Sequence, residues 1–174
     1  MRLLQRKQIA IFLIAACAHY HWANAQNSLN NELAAGCLSA KNIRAPQLYG
    51  LWQVTFTTPP AGLPKSAVML LQKHEEFGDS LSGTVSRDVG GTAAKTPPNP
   101  LGHAAKAALA GDVEDGFVIL DESSDNISIS GTWNGQLTEN ACGREITGVW
   151  KDTSASAPPD APDVAFTMLK RPGW

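Results

Sequence analysis

Five short stretches of this chain share one pattern: an apolar residue, any residue, glycine, any residue, then tryptophan or valine. They are Leu48-Tyr49-Gly50-Leu51-Trp52, Leu81-Ser82-Gly83-Thr84-Val85, Leu109-Ala110-Gly111-Asp112-Val113, Ile129-Ser130-Gly131-Thr132-Trp133 and Ile146-Thr147-Gly148-Val149-Trp150. Residues two apart on a strand share a face, so each copy presents apolar, hole, apolar on one side. Glycine inside a strand costs conformational entropy and packs nothing, so its recurrence needs a reason. Two physical reasons are available: room for a neighbouring indole, or a sharp bend in a strand that curls. Both predict a small, strongly curved antiparallel sheet.

Between the copies the chain reads as strand-length pieces divided by turn chemistry. Strands are expected at about 49–57, 65–74, 80–87, 103–113, 117–122, 127–138, 144–151 and 164–171. The fourth contains Ala104-Ala105-Lys106-Ala107-Ala108, which favours helix, but it runs into a glycine copy and is read as strand. Glu114-Asp115-Gly116 is a tight hairpin turn. The one long connection between strands is 88–101, rich in Gly and Pro. Pro46 is expected to end regular structure before the first strand. The fold class is therefore all-β: an eight-stranded antiparallel up-and-down meander closing into a small barrel, with a short N-terminal arm. Closure removes exposed edges, and eight strands leave an interior filled by side chains or holding one small ligand.

The first 25 residues read as a secretory signal peptide. Arg2, Arg6 and Lys7 form a basic start, residues 9–16 an apolar run too short to span a bilayer, and Ala23-Asn24-Ala25 a small-x-small cleavage site. A second reading competes: Ile14-Ala15-Ala16-Cys17 resembles a bacterial lipobox, in which Cys17 is lipidated and anchors the protein to a membrane. Localisation is thus secreted or periplasmic, or membrane-anchored through Cys17. Residues 26–47 form the arm, with a helical turn around Leu29, Leu33 and Ala34, and 48–174 the barrel domain. Without residues 1–25 the chain carries eleven bases against sixteen acids, a net charge of −5. No cluster of Lys and Arg suited to phosphate is present, which argues against a nucleic-acid partner.

Cys37 and Cys142 remain as an even pair, expected to form a disulfide in an oxidising compartment. A loop of that length stabilises by about 4–5 kcal/mol in the chain-entropy model. Neither cysteine has a partner at metal-ligand spacing, so no metal is expected.

The residues Gly50-Leu51-Trp52, with the later Gly-x-Trp copies at Gly131 and Gly148, resemble the calycin-type barrels, avidin-like and lipocalin-like. The resemblance covers roughly 49–171 and implies an architecture. The polar set with which avidins grip biotin is not found, nor are the later lipocalin motifs, so the ligand stays open.

Two functional expectations follow, neither enzymatic and neither needing a cofactor. In the first, Trp52, Trp133 and Trp150 sit at one level and line a pocket for a small apolar or amphiphilic ligand, with 88–101 as a lid. Their structural alternative is one end of a packed core. In the second, the core is filled and the chain binds a protein partner, as an exported inhibitor of a protease or lysozyme would, or serves structurally in the envelope as a lipoprotein. His74 and His103 are read as surface residues, because nothing places a nucleophile beside them. Asp112, Glu114, Asp115, Asp121, Glu122 and Asp125 match no calcium loop and are read as solvated turns. Trp174 either plugs a barrel mouth or lies exposed.

Overall fold

A computed structural model describes residues 37–87 and 106–173. The expectations for the signal segment 1–25, Cys17, the turn at Leu29, Leu33 and Ala34, the loop 88–101, His103 and Trp174 lie outside those residues. The barrel lies within the compact unit Leu38–Trp174.

Eight antiparallel strands run in sequence order around a closed barrel: β1 Gly50–Phe56, β2 Ser66–Lys73, β3 Leu81–Ser86, β4 Lys106–Glu114, β5 Phe117–Ser123, β6 Gly131–Leu137, β7 Glu145–Asp152 and β8 Val164–Lys170. β1 pairs with β8 from Trp52↔Lys170 to Phe56↔Phe166, which closes the ring. Alternation is clean on most strands: Trp52, Val54 and Phe56 of β1, and Val118, Leu120 and Glu122 of β5, are all buried.

The recurrent glycines meet one expected need, room for an indole, and reveal another, the close approach of a neighbouring strand's backbone. A Cβ on Gly83 would lie 1.9 Å from the Leu70 carbonyl oxygen of β2. On Gly111 it would lie 2.0 Å from the Ile119 carbonyl oxygen of β5, and on Gly148 2.1 Å from that of Asn134 in β6. At these three positions the neighbouring backbone occupies the side-chain space. Gly131 is the other case: its absent Cβ leaves room for the Trp150 indole, whose Nε1 would be 2.6 Å away. Asp115 and Gly116 both take positive φ, as a two-residue hairpin turn between paired Glu114 and Phe117 requires.

Two local expectations are corrected. Pro46 does not end regular structure; it sits in the first turn of a short helix, α1 (Ala45–Leu48). There its missing N–H would have had no helical acceptor, so the ring is tolerated. The sixth strand begins at Gly131 rather than near 127, because Asp125 draws the following amides into a turn: Ile127 N–H and Ser128 N–H both donate to its Oδ1, at 2.9 and 2.7 Å. Ile127 and Ile129 are consequently exposed loop residues.

The barrel's two ends differ. At the end where β1 begins, Ile43, Ala45 and Leu48 of the lead-in are buried in the core cluster. Trp52 Nε1 donates to the Leu48 carbonyl at 2.8 Å, and Lys170 Nζ donates to that of Gln47 at 2.5 Å while lying 5.9 Å from the Trp52 ring centroid. Burial, with Arg144 nearby, lowers the Lys170 pKa. The expected Cys37–Cys142 disulfide is formed, fastening the start of this lead-in to the β6–β7 turn. The other end carries the β1–β2, β5–β6 and β7–β8 loops.

Gly83→Ala should destabilise the protein by on the order of 3 kcal/mol, since a backbone carbonyl cannot yield as a side chain can. Gly78→Ala, with nothing within 4 Å of the new Cβ, should be close to neutral. Urea midpoints at constant m-value test the contrast.

Candidate functional site

The polar residues that the apolar barrel buries gather at its looped end. Glu122 follows Val118 and Leu120 in phase on β5, so its carboxylate points inward and is 0% exposed. Arg87 follows Leu81 and Val85 in phase past β3, and is 3% exposed. The two meet as a forked pair: Nη1 donates to Oε1 at 2.7 Å and Nη2 to Oε2 at 2.5 Å. Oε2 also accepts from Trp133 Nε1 at 3.1 Å and Trp150 Nε1 at 3.2 Å. Four donors thus converge on one carboxylate.

The register explains why. Trp133 and Trp150 are direct cross-strand partners on β6 and β7, and Trp133 faces Leu120 on β5. The glycine at 131 admits the Trp150 ring beside them. Their rings are 6.2 Å apart between centroids, with Phe56 5.7 Å from Trp133 and Phe166 5.1 Å from it. The Arg87 guanidinium lies 5.3 Å from the Trp150 centroid and 6.0 Å from that of Trp133, within cation–π range. Ser130 completes the end wall, its Oγ donating to the Glu122 carbonyl at 3.2 Å. Arg87 Nε is buried and has no acceptor among the described residues.

This cluster can hold charge in an apolar interior, but it offers no exposed reactive atom. Paired and fully bonded, Glu122 offsets its desolvation; with one partner gone, the other is an uncompensated buried charge. The solvated-turn reading of Glu122 is therefore corrected, while Asp112, Glu114, Asp115, Asp121 and Asp125 are exposed as expected. The inward phase of Val118, Leu120 and Glu122 was the signal that could have placed the carboxylate.

The three tryptophans do not form one wall. Trp133 and Trp150 share the Glu122 cluster; Trp52 packs at the other end, beside Leu48 and Lys170. All three are buried, and each indole N–H is already bonded within the protein. His74 follows β2 and braces a turn: its Nδ1 accepts from Glu76 N–H and Phe77 N–H, at 3.2 and 3.3 Å. Among the described residues no three His, Cys, Asp or Glu side chains are placed to hold a metal ion, and no helix is long and apolar enough to cross a membrane.

Outside the barrel, the β5–β6 loop presents Ile127 at 89% exposure. Asp125 holds it there. The backbone N–H groups of Ser128 and Ile127 lower its carboxyl from 3.8 to about 2.

The fold and site define a closed eight-stranded antiparallel barrel with a buried Arg–Glu–Trp–Trp cluster at its looped end. No protein-family model matches the chain, and no curated protein matches it.

Two expectations follow. Glu122→Gln, which leaves the Arg87 charge unpaired, should cost about 3–5 kcal/mol; adding Arg87→Met should recover most of that loss, a coupling that a double-mutant cycle in urea reads directly. The Asp125 turn should be fully held at any pH above the ordinary carboxylate range and loosen as pH falls through about 2. The amide proton shifts of Ile127 and Ser128 should titrate with that midpoint, and lose the titration in Asp125→Asn.

Proposed function

We propose that the chain is an exported, non-catalytic barrel of the calycin type that binds a protein partner with its outer surface, the β5–β6 loop being a recognition element. One observation carries the reading: the indoles that would line an internal pocket are buried and bonded to Glu122 and Leu48, while Ile127 is held out in solvent by a bonded turn. A large apolar side chain on a pre-ordered loop costs a partner little entropy to engage. The calycin reading is supported by the strand order and by Gly50-Leu51-Trp52 opening the first strand over a plugged end.

Export is supported by the basic start, short apolar run and Ala23-Asn24-Ala25 of the sequence, and by the disulfide, which suits an oxidising compartment. Lipidation at Cys17 would give the same barrel a membrane anchor, and the mass of the mature N-terminus separates the two. The small-ligand reading keeps one observation in its favour: the buried Arg87 Nε without an acceptor, at the looped end. A ligand bearing a carbonyl or carboxylate oxygen would satisfy it.

Native mass spectrometry of the protein isolated from its own envelope separates these readings. A retained protein partner, weakened at least tenfold by Ile127→Asp with the thermal midpoint unchanged, is the expected result. A retained small molecule, with no protein partner and no effect of Ile127→Asp, would overturn it.

A further inference from the structure

The outer wall of β4 and β5 carries a second feature, independent of the Ile127 loop. Its register opposes Glu114 to Phe117, Asp112 to Ile119 and Ala110 to Asp121, so each rung sets a carboxylate against an apolar side chain. All six are exposed, Phe117 by 53% and Ile119 by 54%. Such pairs give the barrel little, because carboxylate and alkyl groups across a rung do not attract.

Phe117 and Ile119 form a ridge between two grooves. One, of about 500 Å³, passes over Gly111 between the ridge and Asp112 and Glu114. The other, of about 430 Å³, passes over Gly135 and Gly148 and is bordered by Asn134, Gln136 and Thr147. Gly111, Gly135 and Gly148, which carry no side chain, thus lie in the floors of these grooves. No side-chain hydrogen bond or ion pair among the described residues engages Asp112, Glu114, Asp115 or Asp121; the ion pair Arg87–Glu122 lies inside the barrel. The Lys41 backbone packs at Gly116 on the hairpin tip, and Lys106, exposed at the far end of β4 in phase with Asp112 and Glu114, is the base on this strand's outer face.

We propose that this face docks an extended protein segment in which basic and apolar residues alternate. Alternate side chains of an extended segment point to opposite sides, so its Lys or Arg side chains would meet the β4 acids while its apolar side chains fill the groove on the β6–β7 side of Phe117 and Ile119. Charge complementarity selects the occupant: the grooves supply apolar contact, and the unpaired acids on one side reward cations and repel an acidic partner. A second copy of this wall would bring acids against acids.

The test uses the mature chain and a fluorescein-labelled peptide of alternating lysine and leucine, with lysine–serine and glutamate–leucine peptides as comparisons. Anisotropy should show binding of the lysine–leucine peptide alone, weakening as salt rises. Affinity should fall at least tenfold in Ile119→Thr and in the triple variant Asp112→Asn, Glu114→Gln, Asp121→Asn. Threonine keeps a β-branched side chain on the strand, and an unchanged near-UV circular dichroism spectrum shows that the barrel is intact; Phe117→Thr serves as a second variant. Amide shift changes should map to β4, β5 and β6. Failure of the lysine–leucine peptide to bind, equal binding of the lysine–serine peptide, or indifference to Ile119→Thr and Phe117→Thr would overturn the proposal. So would dimerisation in sedimentation, or binding to phosphatidylcholine vesicles, that either substitution abolishes.

Discussion

Close approach of backbone to backbone is the constraint on which this barrel rests. At Gly83, Gly111 and Gly148 the carbonyl of the adjoining strand stands where a methyl group would be. Any other residue would push the strands apart locally, and a ring of eight short strands closes only when each coils enough. The glycines serve two surfaces at once. Inside, Gly131 and Gly135 leave room for the rings of Trp150 and Phe166. Outside, Gly111 and Gly148 lie in the dents flanking Phe117 and Ile119.

Much of this was legible from residue order alone. Strand count, direction, hairpin at Asp115-Gly116 and the Cys37–Cys142 bond follow from alternation, turn chemistry and parity. The limits were physical too. Composition near Glu122 resembles an exposed turn, and only its phase with Val118 and Leu120 sets it inside; its partner Arg87 lies 35 residues away, beyond any local signal. The tryptophans sit alike within their motifs, but motif position says nothing about height in a staggered barrel. Trp52 pairs level with Lys170, and Trp150 with Val164 at the opposite end of the same strand. Asp125 defeated the strand pattern at Ile127 and Ile129 because a side-chain acceptor competes with the ladder for those amides.

The surface divides accordingly. One end is plugged by α1 and the lead-in behind it; the other carries the loops, including Ile127. The wall of β4 and β5 adds an acid-edged apolar ridge. With all eight strands paired, the barrel offers no open edge for strand addition.

The Glu122 carboxylate has a consequence for how the chain reaches this state. Its four donors come from the residue after β3 and from β6 and β7, three separate parts of the chain. Stripping its water before they arrive would strand a bare anion in hydrocarbon. A half-assembled ring that buries the side chain as an anion is thus disfavoured, so sealing the looped end is coupled to the meeting of three distant stretches of the chain.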